Sequence, residues 1–181
     1  MRRTRKQGGF TIIELMLVLG IGAMVIAGAF VGYKFLSSQA SSMQNINATT
    51  SLVTAVKNKF QGVGSYAGIT TTAVVTAELV SKPLNGSGSA ITNLWDLPIE
   101  FVGAADKFVA QVTVPAKFCI DAAGALDGIA YRIDIDTAGI APGSAESATK
   151  TVKTAATNTI DAGKLTTQCG GATTVVTAFV K

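Results

Sequence analysis

Histidine is absent from all 181 residues. That excludes Ser-His-Asp and Cys-His nucleophile pairs and removes a common ligand of zinc. Charge is scarce as well. Asp, Glu, Lys and Arg make up 14% of the chain, and the nineteen residues between Glu14 and Lys34 carry none. Proline is missing until Pro83, so no proline interrupts a helix before that point. Net charge is nearly missing from the body too. Arg2, Arg3, Arg5 and Lys6 supply four of the fifteen basic residues, and without residues 1–9 eleven Lys and Arg face eleven Asp and Glu. The basic balance therefore belongs to the N-terminus, and the body has no nucleic-acid footprint. A weakly charged body rich in Ala, Thr, Gly and Val suits a chain that packs against copies of itself. A weakly charged soluble domain is the plainer alternative.

What is present is concentrated at the N-terminus. A short basic stretch, residues 1–9, precedes an almost wholly apolar one, Phe10 to Tyr33. The latter is long enough to cross a bilayer as a helix. Glu14 interrupts it. An unpaired carboxylate in hydrocarbon costs on the order of 3 kcal/mol on insertion scales, so Glu14 asks for a partner. A secretory signal is cut after its apolar stretch, at a small-residue site. Here the small pair Gly8-Gly9 comes before it, so cleavage at Gly9 would remove the leader and keep the helix. The basic end is expected in the cytoplasm by the positive-inside rule. Cys119 and Cys169 would then lie outside, where a disulfide between them is the natural expectation. Two buried free thiols are the alternative.

The junction Gly9-Phe10-Thr11-Ile12-Ile13-Glu14-Leu15 resembles the class III leader of type IV prepilins and related pseudopilins. The resemblance implies that a prepilin peptidase cuts after Gly9 and methylates Phe10. It also implies that Glu14, the fifth mature residue, sets subunit register by pairing with a neighbour's new terminal amine. Independently of the family, Phe10 and Glu14 are four apart on one helix face. A carboxylate in the first turn is favoured by the helix dipole. From the residues alone, the amine could be the chain's own or a neighbour's.

The helical pattern continues past Tyr33. Apolar or small residues recur at Leu36, Ala40, Met43, Ile46, Thr50, Val53, Val56 and Phe60, with Ser37, Ser38, Gln39, Ser41, Ser42, Gln44, Asn45 and Asn47 on the other sides. Gly62-Val63-Gly64 is a stop signal. A helix from Phe10 to Phe60 would run about 75 Å. Gly20, Gly22, Gly28 and Gly32 would permit close helix–helix approach or be incidental.

Further on, Thr71 or Thr72 could cap a short helix reaching Val80, with a strand over 73–76 as the competitor. Residues 82–89 read as a loop. Strands are expected at 98–102 and 108–114, paired as a hairpin, then at 129–135 and 173–180. Short helices are expected at 116–126, opened by Pro115, and at 160–169. Residues 141–158 read as a long variable, solvent-facing loop. Asp134 and Asp136 share a strand face, expected to be a solvated edge. Trp95 reads as a core or loop anchor. Gly86-Ser87-Gly88-Ser89 lacks the Gly-Lys-Ser/Thr of a phosphate loop.

The fold class expected is α+β, a pilin fold. A long N-terminal helix, its first half protruding and hydrophobic, would pack on a small mainly antiparallel sheet with a disulfide-stapled C-terminal region. The segments are a leader, 1–9; a membrane or filament-core helix, 10–36; its amphipathic continuation, 37–60; and an extracytoplasmic domain, 61–181. The layout of the body resembles the type IVb subclass, the short leader and Phe10 the type IVa. The resemblance implies a major pilin that inserts in a bacterial inner membrane. It would be processed by the peptidase, pass to a pilus assembly platform and polymerise into an extracellular homo-oligomeric filament. A minor pilin or type II secretion pseudopilin is the alternative, and a single-span anchored enzyme or sensor domain a third. No cofactor, metal or nucleic-acid partner is expected.

Overall fold

The structure, a computed structural model, describes residues 11–171 and 173–181. The chain separates into two compact units, one ending at Ala40 and one comprising Ser41–Lys181. A single helix, α1 (Ile12–Phe60), contributes to both.

In the first unit the described side chains of α1 are exposed almost throughout, Ile12, Leu19, Ile26 and Val31 among them. Over its most apolar 18 residues the mean hydropathy is 2.4. A helix apolar all round cannot satisfy itself in water and requires lipid or other helices.

In the second unit α1 becomes one-sided. Leu52, Val53 and Val56 are buried in the core, as their three- and four-residue spacing dictates. Upstream of them the buried face is polar: Ser42, Asn45 and Thr49. This corrects the expected stripe. Leu36, Ala40 and Met43 are exposed, and Asn45, assigned by sequence to the outer side, is 1% exposed. The reason is local satisfaction. Asn45 Oδ1 accepts the Leu94 N–H at 3.4 Å, and Thr49 Oγ1 donates to the Asn45 carbonyl at 2.9 Å. A hydrogen-bonded polar face can be buried at little cost. The helix ends at Phe60, and Gly64, with φ +75°, supplies the left-handed residue that turns the chain away.

A short helix, α2 (Thr71–Thr76), follows. Its cap is Thr70, not Thr71 or Thr72. Thr70 has extended backbone angles and accepts the Ala73 N–H at 3.1 Å. Thr71 instead accepts the Phe101 N–H at 3.0 Å, tying the helix to the sheet. The helix stops short of Val80, and Glu78 has φ 55°.

The segment expected to be a loop at 82–89 contains β1 (Asn85–Ser87), which forms a hairpin with β2 (Ala90–Thr92) around Gly88-Ser89. Gly and Ser have low strand propensity, and the two-residue turn with a positive-φ glycine is what closes it. Next come β3 (Ile99–Gly103) and β4 (Phe108–Pro115), an antiparallel pair as expected. A 3-10 turn, Ala116–Phe118, leads into α3 (Cys119–Asp127). Then come β5 (Arg132–Asp136), β6 (Thr151–Lys153), α4 (Ala162–Gln168) and β7 (Thr173–Val180). Asp161 caps α4, accepting from Gly163 and Lys164 at 3.0 and 3.1 Å.

Five strands form one antiparallel sheet in the order β3-β4-β7-β5-β6. The last strand of the sequence is the central one. One sheet face carries Ile99, Phe101, Phe108, Ala110, Val112, Ile133, Ile135, Val176 and Ala178, which join Val53 and Val56 of α1 in a single core. β6 lies inside the segment expected to be a solvent-facing loop, and its three residues are buried.

Candidate functional site

Two places carry chemistry that the hydrophobic core does not explain. The first is the start of α1. Thr11 Oγ1 accepts the Glu14 N–H at 3.3 Å, a cap on the first turn. Glu14 is the only acid in that turn. Its side chain is exposed, and no cation pairs with it among the described residues. Gly9 and Phe10, the expected cleavage and methylation positions, lie outside the described residues. A Cβ added at Gly20, Gly22, Gly28 or Gly32 would meet nothing within 4 Å. These glycines therefore answer to no neighbour within the described chain.

The second is the sheet face turned away from α1. Along β5 the side chains alternate. Ile133 and Ile135 enter the core, while Arg132, Asp134 and Asp136 take the other face. That face is not the solvated edge expected for the two aspartates. Asp134 is 0% exposed. Arg132 holds it by a two-pronged pair: Nε donates to Oδ1 at 2.9 Å, and Nη2 donates to Oδ2. The same guanidinium donates to the carbonyls of Ser144 and Ala145 at 2.6 and 2.7 Å and stacks 4.3 Å over the Phe179 ring. Gln111 Nε2 adds a bond to the Ile140 carbonyl at 3.2 Å. The chain after β5 is thus strapped across the sheet by donors from Arg132 and Gln111.

Around this strap lie two more pairs. Lys150 donates to Asp136 Oδ2, which holds the Asp136 carboxyl below its ordinary value despite partial burial. Lys153, buried on β6, sits 2.8 Å from Asp127 Oδ1 and also donates to the Asp127 carbonyl. Burial pushes the neighbouring Tyr131 phenol up, against the opposing charge of Lys107. The Arg-x-Asp spacing on a strand was the sequence signal for the buried pair. Without the strap to cover it, that pattern reads as solvent-facing.

Cys119, at the start of α3, and Cys169, just after α4, are joined by a disulfide with Cα atoms 5.6 Å apart. Trp95 anchors the turn between β2 and β3, its ring stacked 4.8 Å from that of Phe118. Asn93 builds that turn, accepting from the Trp95 and Leu97 N–H groups and donating to the Thr113 carbonyl.

Comparison with known proteins separates the two places. Residues 4–30 match the family described as the prokaryotic N-terminal methylation motif. The crystal structure of TcpA, a type IV pilin from Vibrio cholerae El Tor biotype, aligns with TM-score 0.56 at 13% identity. It covers 78% of this chain and 99% of that chain. The chain joins a prokaryotic N-terminal methylation motif to a type IV pilin fold. No curated protein matches it by sequence.

Within that pilin fold the motif ends inside the exposed apolar stretch of α1, and Glu14 lies within the matched residues. The disulfide, the strap and the docked half of α1 belong to the domain. Their chemistry is that of holding a shape.

Proposed function

We propose that this chain is the major structural subunit of a type IV pilus, with a body nearer the type IVb subclass. One observation carries the proposal. A methylation motif overlaps the exposed, all-round apolar start of a long helix whose later part belongs to a pilin-fold domain. In this reading the precursor spans the bacterial inner membrane through residues 10–36, with residues 1–9 cytoplasmic. The helix continues through residues 37–60, and the extracytoplasmic domain comprises 61–181. A prepilin peptidase cuts after Gly9 and methylates Phe10. The assembly platform then moves the subunit into a helical filament, where neighbouring helices replace lipid around the apolar stretch.

Glu14 is the register device in this mechanism. Its carboxylate meets the terminal amine of a neighbouring copy, and the pair forms only at one axial offset. Gly28 and Gly32, four apart with open space beside them, and Gly20 and Gly22 let neighbouring backbones approach.

N-terminal sequencing and intact mass of sheared surface fibres test the reading. The expected result is an abundant chain that begins at Phe10 with one added methyl. A chain that still begins at Met1, or is present in the fibres only in trace amounts, rules out a processed major subunit.

A further inference from the structure

We propose that Asn85-Gly86 is a self-deamidation site, promoted by Lys82, on the exposed β1–β2 hairpin. Of six asparagines in the chain, only Asn85 precedes glycine. Glycine carries no side chain to hinder attack by its own nitrogen. Asn85, Gly86 and Ser87 are all exposed, so water reaches the site.

The hairpin geometry frees the nucleophile. Around the two-residue turn Gly88-Ser89, Ser87 faces Ala90, Gly86 faces Ile91 and Asn85 faces Thr92. In an antiparallel pair, bonded and non-bonded partners alternate, beginning with the bonded pair that closes a two-residue loop. Gly86 therefore falls in a non-bonded pair, and its N–H points to the outer edge of β1, away from β2. The electrophile is polarised: Lys82 Nζ donates to Asn85 Oδ1 at 3.4 Å. The position stays glycine for a packing reason too, because a Cβ there would come within 3.1 Å of Val80 Cβ.

In the step itself the Gly86 nitrogen, losing its proton, bonds to Asn85 Cγ. The Cγ–Nδ2 bond breaks, and ammonia leaves with the proton. Lys82 stabilises the negative charge that builds on Oδ1, in the manner of an oxyanion donor. Water then opens the five-membered imide at either carbonyl, giving aspartate or isoaspartate. The net change is one water consumed and one ammonia released, with no oxidation. The new carboxylate lies beside the Lys82 ammonium, and it leaves residues 10–181 one negative charge away from neutrality.

The other asparagines lack this combination. Asn45 and Asn93 are buried. Asn47 and Asn58 sit within α1, where the following N–H is held in the helix ladder. Asn158 precedes the β-branched Thr159.

The test uses the full chain purified in detergent, kept warm at mildly alkaline pH and digested at intervals. Mass spectrometry follows each asparagine, and isoaspartyl methyltransferase labels the rearranged product. Asn85 is expected to convert several-fold faster than the other five together. Lys82→Met should slow it several-fold, and Asn85→Gln should abolish the label. Conversion of Asn85 no faster than that of Asn58 or Asn158 overturns the site. An unchanged rate in Lys82→Met overturns the role of the lysine.

Discussion

At the scale of single residues, the fold depends on charges that are hidden and fully spent. Asp134 is reached by solvent nowhere and, among the described residues, is paired with Arg132 alone of the charged groups. Arg132→Ala would leave that carboxylate buried and unpaired, which costs about 3–5 kcal/mol. Denaturant unfolding of the purified chain should show a loss of that size. Replacing both residues by apolar ones should cost much less than the single change, since the penalty lies in the orphaned charge. Asp136 behaves differently because it is partly open to water. Its folded pKa is depressed below the ordinary 3.8, chiefly by the Lys150 hydrogen bond. The unfolded chain therefore binds the proton more readily. The pair's contribution is present above pH 3.8 and is lost as pH falls through the lower folded value. Lys150→Met should flatten the acid limb of the stability curve in that window and lower stability above it by the same small amount, since a half-exposed pair contributes little. The register role proposed for Glu14 is tested at assembly. Glu14→Ala should leave membrane insertion intact, because it removes a charge from an apolar segment. It should reduce pili on the cell, counted by electron microscopy; wild-type numbers would sink the register argument.

Elements read from the sequence succeeded where periodicity was uninterrupted. The long helix, the β3–β4 hairpin, α3, α4 and β7 were all legible from spacing and end signals. What escaped were β1, β2 and β6, each three residues long: Asn-Gly-Ser, Ala-Ile-Thr and Thr-Val-Lys. Three residues are too few for propensity or alternation to mark a strand, and partner segments fix them: β1 and β2 each other, β6 on β5. The docked face of α1 was misplaced for the same reason. Asn45 looks like a solvent residue until a turn containing Leu94 is folded against it. The division of α1 is measurable. Leu52 is buried in the core, and Leu52→Ala should cost the domain about 3 kcal/mol. Leu36 is exposed, and Leu36→Ala should leave the unfolding midpoint of the purified chain unmoved. Equal losses from the two would contradict a helix whose two parts serve different partners.

For the whole molecule, the disulfide and the sheet order act together. Cys119 to Cys169 spans 50 residues, and closing such a loop is worth roughly 4 kcal/mol on chain-entropy grounds. Cys119→Ser with Cys169→Ser should lower denaturant stability toward that figure and should yield less folded domain at warm growth temperatures. The bridge ends four residues before β7 begins, and β7 is the strand between β4 and β5. Until it arrives, β3–β4 and β5–β6 are two separate pairs with open edges. Those edges are the sort that join other chains when left waiting. Ribosomes deliver residues in order, at roughly 5–20 per second. Every earlier strand therefore waits for residues 173–180, and no shorter nascent chain can close the sheet. The fold thus carries its own completeness check: a chain interrupted before Thr173 has no central strand, so its two strand pairs stay apart with open edges and exposed to proteolysis.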